Sequence, residues 1–394
     1  MQSSPVDDPQ QLNRMATRAL AARAPAEALQ LLRHAVGLDP ADPAIRLNLA
    51  AAHRALGDLS GALRTLEGAL TLDPRMFMAL LMKASVLERL GRTREAGRAY
   101  GVALTQAPGD AALDEPTRRA LKHGRDIHRL HLEEQREFLR QRLYRRAASR
   151  APAQAGRIDH FLDLALGLRK NYRQEPTHFF YPDLPVYDFL PNELFPWLPA
   201  LEAETASIRA EALELLATSR NVVPYVDYPD TVPLDQWAAL NRSPDWSAIH
   251  LYLYGEPVAE HTAACPRTMA ALDRLPQPHV QERSPAAMFS VLRPRTRIPP
   301  HTGVANTRVV LHLPLVVPGD CGFRVGNETR PWREGKAWVF DDTIEHEAWN
   351  DGDQVRIVMI CDIWRPELSE DEREQIAELM TGMDLFMETP PASL

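Results

Sequence analysis

A unit of 34 residues recurs through the first third of this 394-residue chain. The interval separates three sets of residues: Pro40, Pro74 and Pro108; Ala28, Ala62 and Ala96; Ala35, Ala69 and Ala103. A unit of this length holds two helices and their turns, since small alanines let paired helices approach and a proline stops the second helix. Stacked units bury a continuous core. The pattern therefore predicts an α-helical solenoid of about three units over residues 1–112.

The phased positions resemble those of tetratricopeptide repeats, and Tyr100 stands where such repeats carry a large aromatic side chain. Leucine and alanine replace most of the other aromatics. Solenoids of this kind offer a concave surface, so the resemblance implies a protein or peptide partner. A docking or dimerisation scaffold without a bound peptide is an equal alternative.

Residues 113–165 are expected to form a helical connector and a linker. Residues 115–150 predict a helix in which basic residues outnumber acidic ones, and Ala151–Arg157, rich in Ala, Pro and Gly, predicts the linker. A basic helix can contact nucleic acid, but a solvated face or the capping helix of a solenoid is commoner. The chain's net charge of -8 gives no reason to expect nucleic acid or a membrane as a partner.

Cysteine content and hydropathy bear on the cellular location. The three cysteines, Cys265, Cys321 and Cys361, are an odd and sparse set, which fits reduced thiols better than a disulfide framework. No apolar run reaches the roughly 18 residues of a transmembrane helix, and residues 1–11 lack the basic start and apolar run of a signal peptide. We therefore expect a cytoplasmic protein.

The second half of the chain changes from helical to strand patterning near Phe289. Apolar runs rich in Val, Ile, Leu and aromatics occupy residues 289–293, 308–317, 323–325, 337–340 and 355–364, with turn-like breaks between them. Many short, closely spaced strands predict an antiparallel jelly roll or barrel, which periodicity alone does not separate from a sandwich. We expect this domain over residues 166–368. A C-terminal helix and tail over 369–394 begin with a capping box, Ser369 to Glu372, and Ile376 and Leu379 start an apolar face.

Two histidines 45 residues apart, His301 and His346, are the candidate metal ligands. A histidine at one strand end and another on a later strand can meet at the mouth of a barrel, where neutral imidazoles bind a divalent transition metal. Arg356, ten residues after the second histidine, can take the distal carboxylate of a 2-oxo acid bidentately.

The third ligand of a common non-haem iron site is a carboxylate, often two residues after the first histidine. Glycine stands there in this chain, at Gly303. Three readings follow: water fills the position, a halide fills it and allows halogenation, or the site is inactive.

The order of motifs resembles that of the aspartyl/asparaginyl β-hydroxylases, strongly over residues 285–368 and more loosely over 170–285. The matching residues are Phe289 to Leu292, His301-Thr302-Gly303 with Asn306 and Arg308, His312-Leu313, Cys321 to Gly326, Glu334 to Lys336, Phe340 to Glu347, Arg356, and Asp362 to Trp364. The resemblance implies a double-stranded β-helix of the cupin-like kind. It also implies an Fe(II) site with two histidines, in which water replaces the carboxylate.

Roles for individual residues follow from the same resemblance. It implies that His301 and His346 bind iron, that Arg356 and Ser290 hold 2-oxoglutarate, and that His312 lines the pocket of this co-substrate. Arg308 matches an arginine near the substrate, where it could pair with a substrate carboxylate. The animal member of this family has a second arginine two residues later, and Val310 replaces it here. Trp246 could line the substrate cleft or pack in the core, and Asp341 and Asp342 are expected to shape the turn before His346 rather than bind metal.

The expected function is therefore that of a dioxygenase using Fe(II), 2-oxoglutarate and O2. It would hydroxylate an Asp/Asn-type residue or a related carboxylate-bearing substrate, with the repeat domain binding a protein or peptide partner. A non-catalytic scaffold protein is the alternative, and a 2-oxoglutarate-dependent halogenase is a further one. The expected fold class is multidomain α + β.

Overall fold

A computed structural model describes residues 8–145, 152–218, 222–229, 231 and 233–387. The chain divides into two compact units, residues 1–169 and 170–394. Each unit is described by itself. Within the described residues, no helix combines the length and the apolar character needed to cross a membrane.

The first unit is helical throughout its described part. Its helices are α1 (Pro9–Ala21), α2 (Pro25–Leu38), α3 (Pro43–Ala55), α4 (Leu59–Leu72), α5 (Phe77–Arg89), α6 (Thr93–Thr105), α7 (Glu115–Arg145) and α8 (Pro152–Ala165). Consecutive helices from α1 to α6 pair as the 34-residue period predicts. The phased alanines Ala28, Ala62 and Ala96 are fully buried between them. Asp42 fixes the start of α3, because its carboxylate accepts from the backbone N–H groups of Ala44 and Ile45.

Helix α7 caps the last repeat pair. Its His128 contacts the carbonyl oxygen of Gly97 on α6 through Nδ1, at 2.9 Å. Arg136 on its outer part forms a 2.5 Å ion pair with Asp163 of α8. These contacts support the role of a capping helix. The predicted linker is wrong over residues 152–157, because α8 begins at Pro152; Ala151 lies outside the described residues.

The second unit consists of two antiparallel sheets with helices against one of them. Its helices are α9 (Leu198–Ala203), α10 (Thr205–Thr218), α11 (Ala259–Ala264), α12 (Pro266–Leu272) and α13 (Glu370–Met387). Its strands are β1 (Val223–Pro224), β2 (Trp246–Leu253), β3 (Glu256–Pro257), β4 (Ala287–Leu292), β5 (Thr296–His301), β6 (Arg308–Val316), β7 (Cys321–Val325), β8 (Glu328–Pro331), β9 (Trp338–Phe340), β10 (His346–Asn350) and β11 (Arg356–Trp364).

The larger sheet has the order β1-β2-β4-β11-β6-β9, with β3 on β2, and the smaller has the order β5-β10-β7-β8. Side chains alternate between the two faces of each strand. On β11, Ile357 and Met359 therefore pack toward helices α10 and α12. Val358 points the other way and packs with Phe323 of the smaller sheet. The two sheets thus enclose an interior, and the predicted combination of a helical repeat with an antiparallel jelly roll is confirmed.

The C-terminal helix α13 begins as the sequence predicts. Ser369 and Glu372 form the reciprocal hydrogen bonds of a capping box. Ile376 is buried, but Leu379 is 59% exposed. The buried face of the helix therefore contains Met380 instead of Leu379.

Candidate metal and co-substrate site

His301 ends β5 and His346 begins β10, and the two residues are direct partners across the smaller sheet. Their ring centroids lie 4.1 Å apart. Each Nδ1 faces a backbone carbonyl oxygen, that of Pro299 at 2.7 Å for His301 and that of Ile344 at 3.0 Å for His346. Donation from Nδ1 to these carbonyls leaves the lone pair of each Nε2 for a metal.

Burial keeps both imidazoles neutral. It lowers the pKa of His301 to about 4, against the opposing effect of the Pro299 carbonyl. Burial and the neighbouring His301 lower the pKa of His346 well below its usual value. Neutral imidazole is the form that coordinates a divalent transition metal, so the pair fits such an ion. Among the described residues, no group of three His, Cys, Asp or Glu side chains could hold a metal.

Gly303, which stands where a ligand carboxylate is often found, lies against the carboxylate of Asp342. A Cβ atom at Gly303 would overlap the carboxylate of Asp342, which fills that space from the neighbouring loop. The Gly303 N–H also donates to the Asp342 carbonyl oxygen at 2.6 Å. Glycine at this position therefore permits the close approach of two loops, one next to each histidine.

We expect Gly303→Ala to weaken metal binding. The new methyl group has to displace the Asp342 carboxylate, which is held by Arg308 at 3.1 Å, and the shift carries over to both histidine loops. Isothermal titration with Fe(II) under anaerobic conditions measures the effect. We expect the affinity for Fe(II) to fall by about 10-fold or more. Asp342→Ala in the same chain makes room for the methyl group, so the loss in the double variant should be smaller than the sum of the two single losses. Additive losses would contradict the steric explanation.

Arg324 was not found from the sequence, although it holds the strand of the second histidine. It lies opposite Glu347 in the register between β7 and β10. Its guanidinium pairs with Glu347 and, at 3.0 Å, with Glu345, the two residues that flank His346. This role of Arg324 could not be predicted from its charge, because the acidic residues with which it pairs lie more than 20 residues away in the chain. Glu345 and Glu347 are therefore ion-paired rather than simply solvated.

Arg356 is a buried cation on the inner face of β11. Its side chain lies among aromatics, with the guanidinium carbon 5.3 Å from the centre of the Trp332 ring. Nη2 donates to the Ser290 hydroxyl at 3.3 Å, whereas Nε has no partner. Within the described residues Arg356 forms no ion pair, and burial lowers its pKa to about 10, with Cys321 opposing. A buried guanidinium without a carboxylate is suited to an anionic ligand.

Ser290 and His312 complete this end of the interior. The Ser290 oxygen accepts from Arg356 and from the indole N–H of Trp246 at 3.2 Å, which leaves the hydroxyl hydrogen for a ligand. His312 stacks on Trp332, and its buried Nδ1 has no partner. The structure therefore brings Ser290, His312 and Arg356 together. It places Trp246 in the wall beside Ser290, and a contact of Trp246 with substrate stays a prediction.

Arg308 lies on the same inner face of the larger sheet but is already ion-paired. Its Nη1 is 3.1 Å from Asp342 Oδ2 and 3.1 Å from Asp362 Oδ1. The side chains of Arg308, Asp342 and Asp362 are 12%, 9% and 7% exposed. The predicted pairing of Arg308 with a substrate carboxylate would therefore have to compete with two carboxylates of the protein.

An extended segment, residues 174–181, ties the two histidine loops together. The Thr177 N–H donates to the Gly303 carbonyl oxygen at 3.0 Å. Gln174 donates to Asp341 Oδ2 at 2.6 Å and accepts from Asn306 at 3.0 Å. Asp341 also forms a fully buried ion pair with Arg365, at 2.6 Å. The sequence predicted that Asp341 shapes the turn before His346, and its hydrogen bonds from Thr343 agree with this. Asn306 was found only as a member of a motif, and Gln174 and Arg365 were not found.

Comparison with known proteins matches this architecture. Residues 202–366 match the family model described as Aspartyl/Asparaginyl beta-hydroxylase, and residues 19–75 match a tetratricopeptide repeat model. Residues 202–366 are thus similar to the aspartyl/asparaginyl beta-hydroxylase family, and they follow a segment similar to a tetratricopeptide repeat. The family resemblance of the sequence is thereby confirmed.

Two relatives of this C-terminal region are hydroxylases of different description. The chain is 33% identical over 178 residues to the aspartyl/asparaginyl beta-hydroxylase of Homo sapiens, which covers 45% of this chain and 22% of that protein. It is 34% identical over 185 residues to the ornithine lipid ester-linked acyl 2-hydroxylase of Rhizobium tropici, covering 46% and 61%. The chain thus spans less than two thirds of either relative. The solved Sgt2 tetratricopeptide domain from Aspergillus fumigatus is 22% identical with a TM-score of 0.27, covering 30% of this chain and 77% of that one.

Proposed function

We propose that this chain is an Fe(II)- and 2-oxoglutarate-dependent dioxygenase that hydroxylates an Asp/Asn-type residue or a related substrate. The observation that carries the proposal is Arg356, a guanidinium that is 2% exposed, has an unpartnered Nε and lies in the same interior as the convergent pair His301 and His346. A buried cation without a counter-charge is costly to the fold, and a site for a dicarboxylic co-substrate explains why it is there.

The residues present fit both groups. His301 and His346 would hold iron through Nε2, because their Nδ1 atoms are engaged with carbonyl oxygens. Arg356 and the Ser290 hydroxyl would hold the distal carboxylate of 2-oxoglutarate, which is charge-assisted binding in a dry pocket. When bound, Fe(II) with 2-oxoglutarate and O2 supplies the oxidation that puts a hydroxyl group on carbon and yields succinate and CO2.

The protein's own contribution is orientation and the exclusion of water. Phe323 and Phe340 pack edge-on with ring centroids 4.8 Å apart, next to His346, and exclude solvent from its ring. The Trp237 ring lies edge-on to the His301 ring, with ring centroids 5.0 Å apart. In such a low-dielectric interior, the hydrogen bonds that fix the imidazoles are stronger than they would be in water.

The position and charge of Asp342 argue against the halogenase alternative. Its carboxylate fills the space beside Gly303 that a ligand side chain would otherwise occupy. A negative charge there opposes the binding of a halide anion, which favours hydroxylation. The repeat domain would recruit the protein or peptide partner that carries the substrate.

We expect the purified full chain, incubated with Fe(II) and ascorbate, to convert 2-oxoglutarate to succinate. Anaerobic Fe(II) with 2-oxoglutarate should give a visible charge-transfer band. His301→Ala and His346→Ala remove one of two metal ligands each, so both should lose the band and more than about 100-fold of the turnover. His160→Ala, at an exposed position in the first unit, is the matched control. Absence of both band and turnover in the wild type would reject the enzyme and favour the scaffold alternative.

A further inference from the structure

The cluster of Arg308, Asp342 and Asp362 lies beside the metal site, on the inner face of the larger sheet. Asp362 is six residues after Arg356 on β11, so the two side chains point to the same face, about 20 Å apart along the strand. Asp342 reaches the metal site directly, because its carboxylate packs against Gly303, two residues after His301. The cluster therefore lies away from the Arg356 end of the strand and beside the loop that follows His301.

The cluster contains one cation for two carboxylates. Both ion pairs use Nη1 of Arg308, at 3.1 Å from Asp342 Oδ2 and from Asp362 Oδ1. The second oxygen of each carboxylate, Asp342 Oδ1 and Asp362 Oδ2, is buried without a hydrogen-bond partner. Each such oxygen is an acceptor that needs a donor, since a buried unpaired polar group is unfavourable.

Val310 adds no cation to this cluster, in which Arg308 opposes the effect of burial on the pKa of both carboxyl groups. Val310 is the direct partner of Asp362 across β6 and β11, and its side chain is apolar. A cation at this position would face Asp362 and neutralise it, whereas valine leaves the excess negative charge in place. Tyr225 adds no charge, because burial raises its phenol pKa to about 12.

We propose that this cluster recognises a carboxamide on the substrate, and selects it over a carboxylate. The inference rests on the proposed function and specifies its substrate class. A carboxamide presents an N–H2 group to the unpartnered acid oxygens and a carbonyl oxygen to the Arg308 guanidinium. A substrate carboxylate would meet two buried carboxylates with one shared cation, and like charges in such a place repel strongly.

The test uses two matched probes, N-acetyl-asparagine amide and N-acetyl-aspartate amide, with the full chain loaded with Fe(II) and 2-oxoglutarate. Titration under anaerobic conditions follows the shift of the visible charge-transfer band and gives an affinity for each probe. We expect the asparagine probe to bind at least about 10-fold more tightly than the aspartate probe. Succinate formation in air, compared between the two probes, gives the same ratio for turnover.

Two variants change the charge balance in independent ways. Asp362→Asn removes one carboxylate and keeps its shape, whereas Val310→Arg adds a cation opposite Asp362. Each variant should reduce the preference for the asparagine probe to below about 2-fold or reverse it. Asp351→Asn makes the same chemical change in a surface ion pair with Arg297 and should leave the preference unchanged. Because Val310 is in the core, Asp362→Asn keeps the test decisive if the Val310 variant fails to fold.

The outcomes separate this inference from the proposed function. A wild type that forms the band but binds the aspartate probe as well as the asparagine probe, or neither of them, overturns the inference alone. So does a preference that survives in Asp362→Asn. If the wild type forms no band with Fe(II) and 2-oxoglutarate, the proposed function fails, and the substrate class that rests on it fails as well.

Discussion

Replacing Arg356 with methionine is expected to abolish 2-oxoglutarate binding and at the same time to raise the melting temperature of the ligand-free protein. Burial lowers the pKa of Arg356 by more than two units, to about 10. A difference of this size corresponds to about 3 kcal/mol of unfavourable free energy in the folded state. Methionine fills a similar space without charge, and replacing a buried charge by an apolar group is commonly neutral or stabilising.

The sign of the pH dependence follows from the lowered pKa. The unfolded chain holds the proton of Arg356 more tightly than the folded chain does, so the cost to folding is complete at neutral pH. It decreases as the pH rises through about 10. The stability advantage of Arg356→Met should therefore be constant near neutrality and shrink above pH of about 10.

The two measurements are a thermal melt and a 2-oxoglutarate titration of the Fe(II)-loaded protein. Ligand-free Arg356→Met should melt a few degrees higher than the wild type. Its affinity for 2-oxoglutarate should fall by at least about 100-fold, because a charge-assisted bidentate contact is lost. Arg333→Met, at an exposed position, is the control and should change neither value. Retained affinity would refute the role of Arg356 in binding the co-substrate, and a lower melting temperature would refute the electrostatic explanation.

The strands that could be predicted from the sequence were those with a regular apolar pattern. The runs that became β4, β6 and β11 have a continuous apolar character because both of their faces are covered. Strands β5 and β10, which carry the proposed metal ligands, were not predicted. Strand β5 contains Pro299 and Pro300, and it can do so because it is the edge of the smaller sheet, where a missing N–H is tolerated.

The contacts that hold the site depend on residues far apart in the chain. Gln174 meets Asp341 across 167 positions, and no periodic pattern marks such a pair. The same is true of Asp362, whose charge balance depends on Val310 across two strands that only the fold brings together. Motif order therefore predicted which residues form the candidate site, whereas its supporting contacts and the carboxylates that share Arg308 required the structure.

Asp341→Ala is expected to destabilise the second unit by about 3 kcal/mol and to weaken Fe(II) binding. Asp341 is fully buried and has four contacts. It accepts from Arg365 and Gln174 at 2.6 Å each, and from both the N–H and the hydroxyl of Thr343. Its removal leaves the buried Arg365 with Glu367 as its remaining carboxylate. It also releases the loop that leads to His346.

A second substitution separates these two effects. Arg365→Met in the Asp341→Ala chain removes the charge that lost its partner, so the double variant should regain part of the stability, as measured by urea unfolding. Its Fe(II) affinity should stay low, because Thr343 and Gln174 still lack their acceptor and the loop before His346 is still free to move. Asp353→Ala, in an exposed ion pair with Arg295, is the matched control and should change both values little. If the double variant recovered its Fe(II) affinity together with its stability, Asp341 would act on the metal site only through the stability of the fold, and the positioning role assigned to the segment around Gln174 would be wrong.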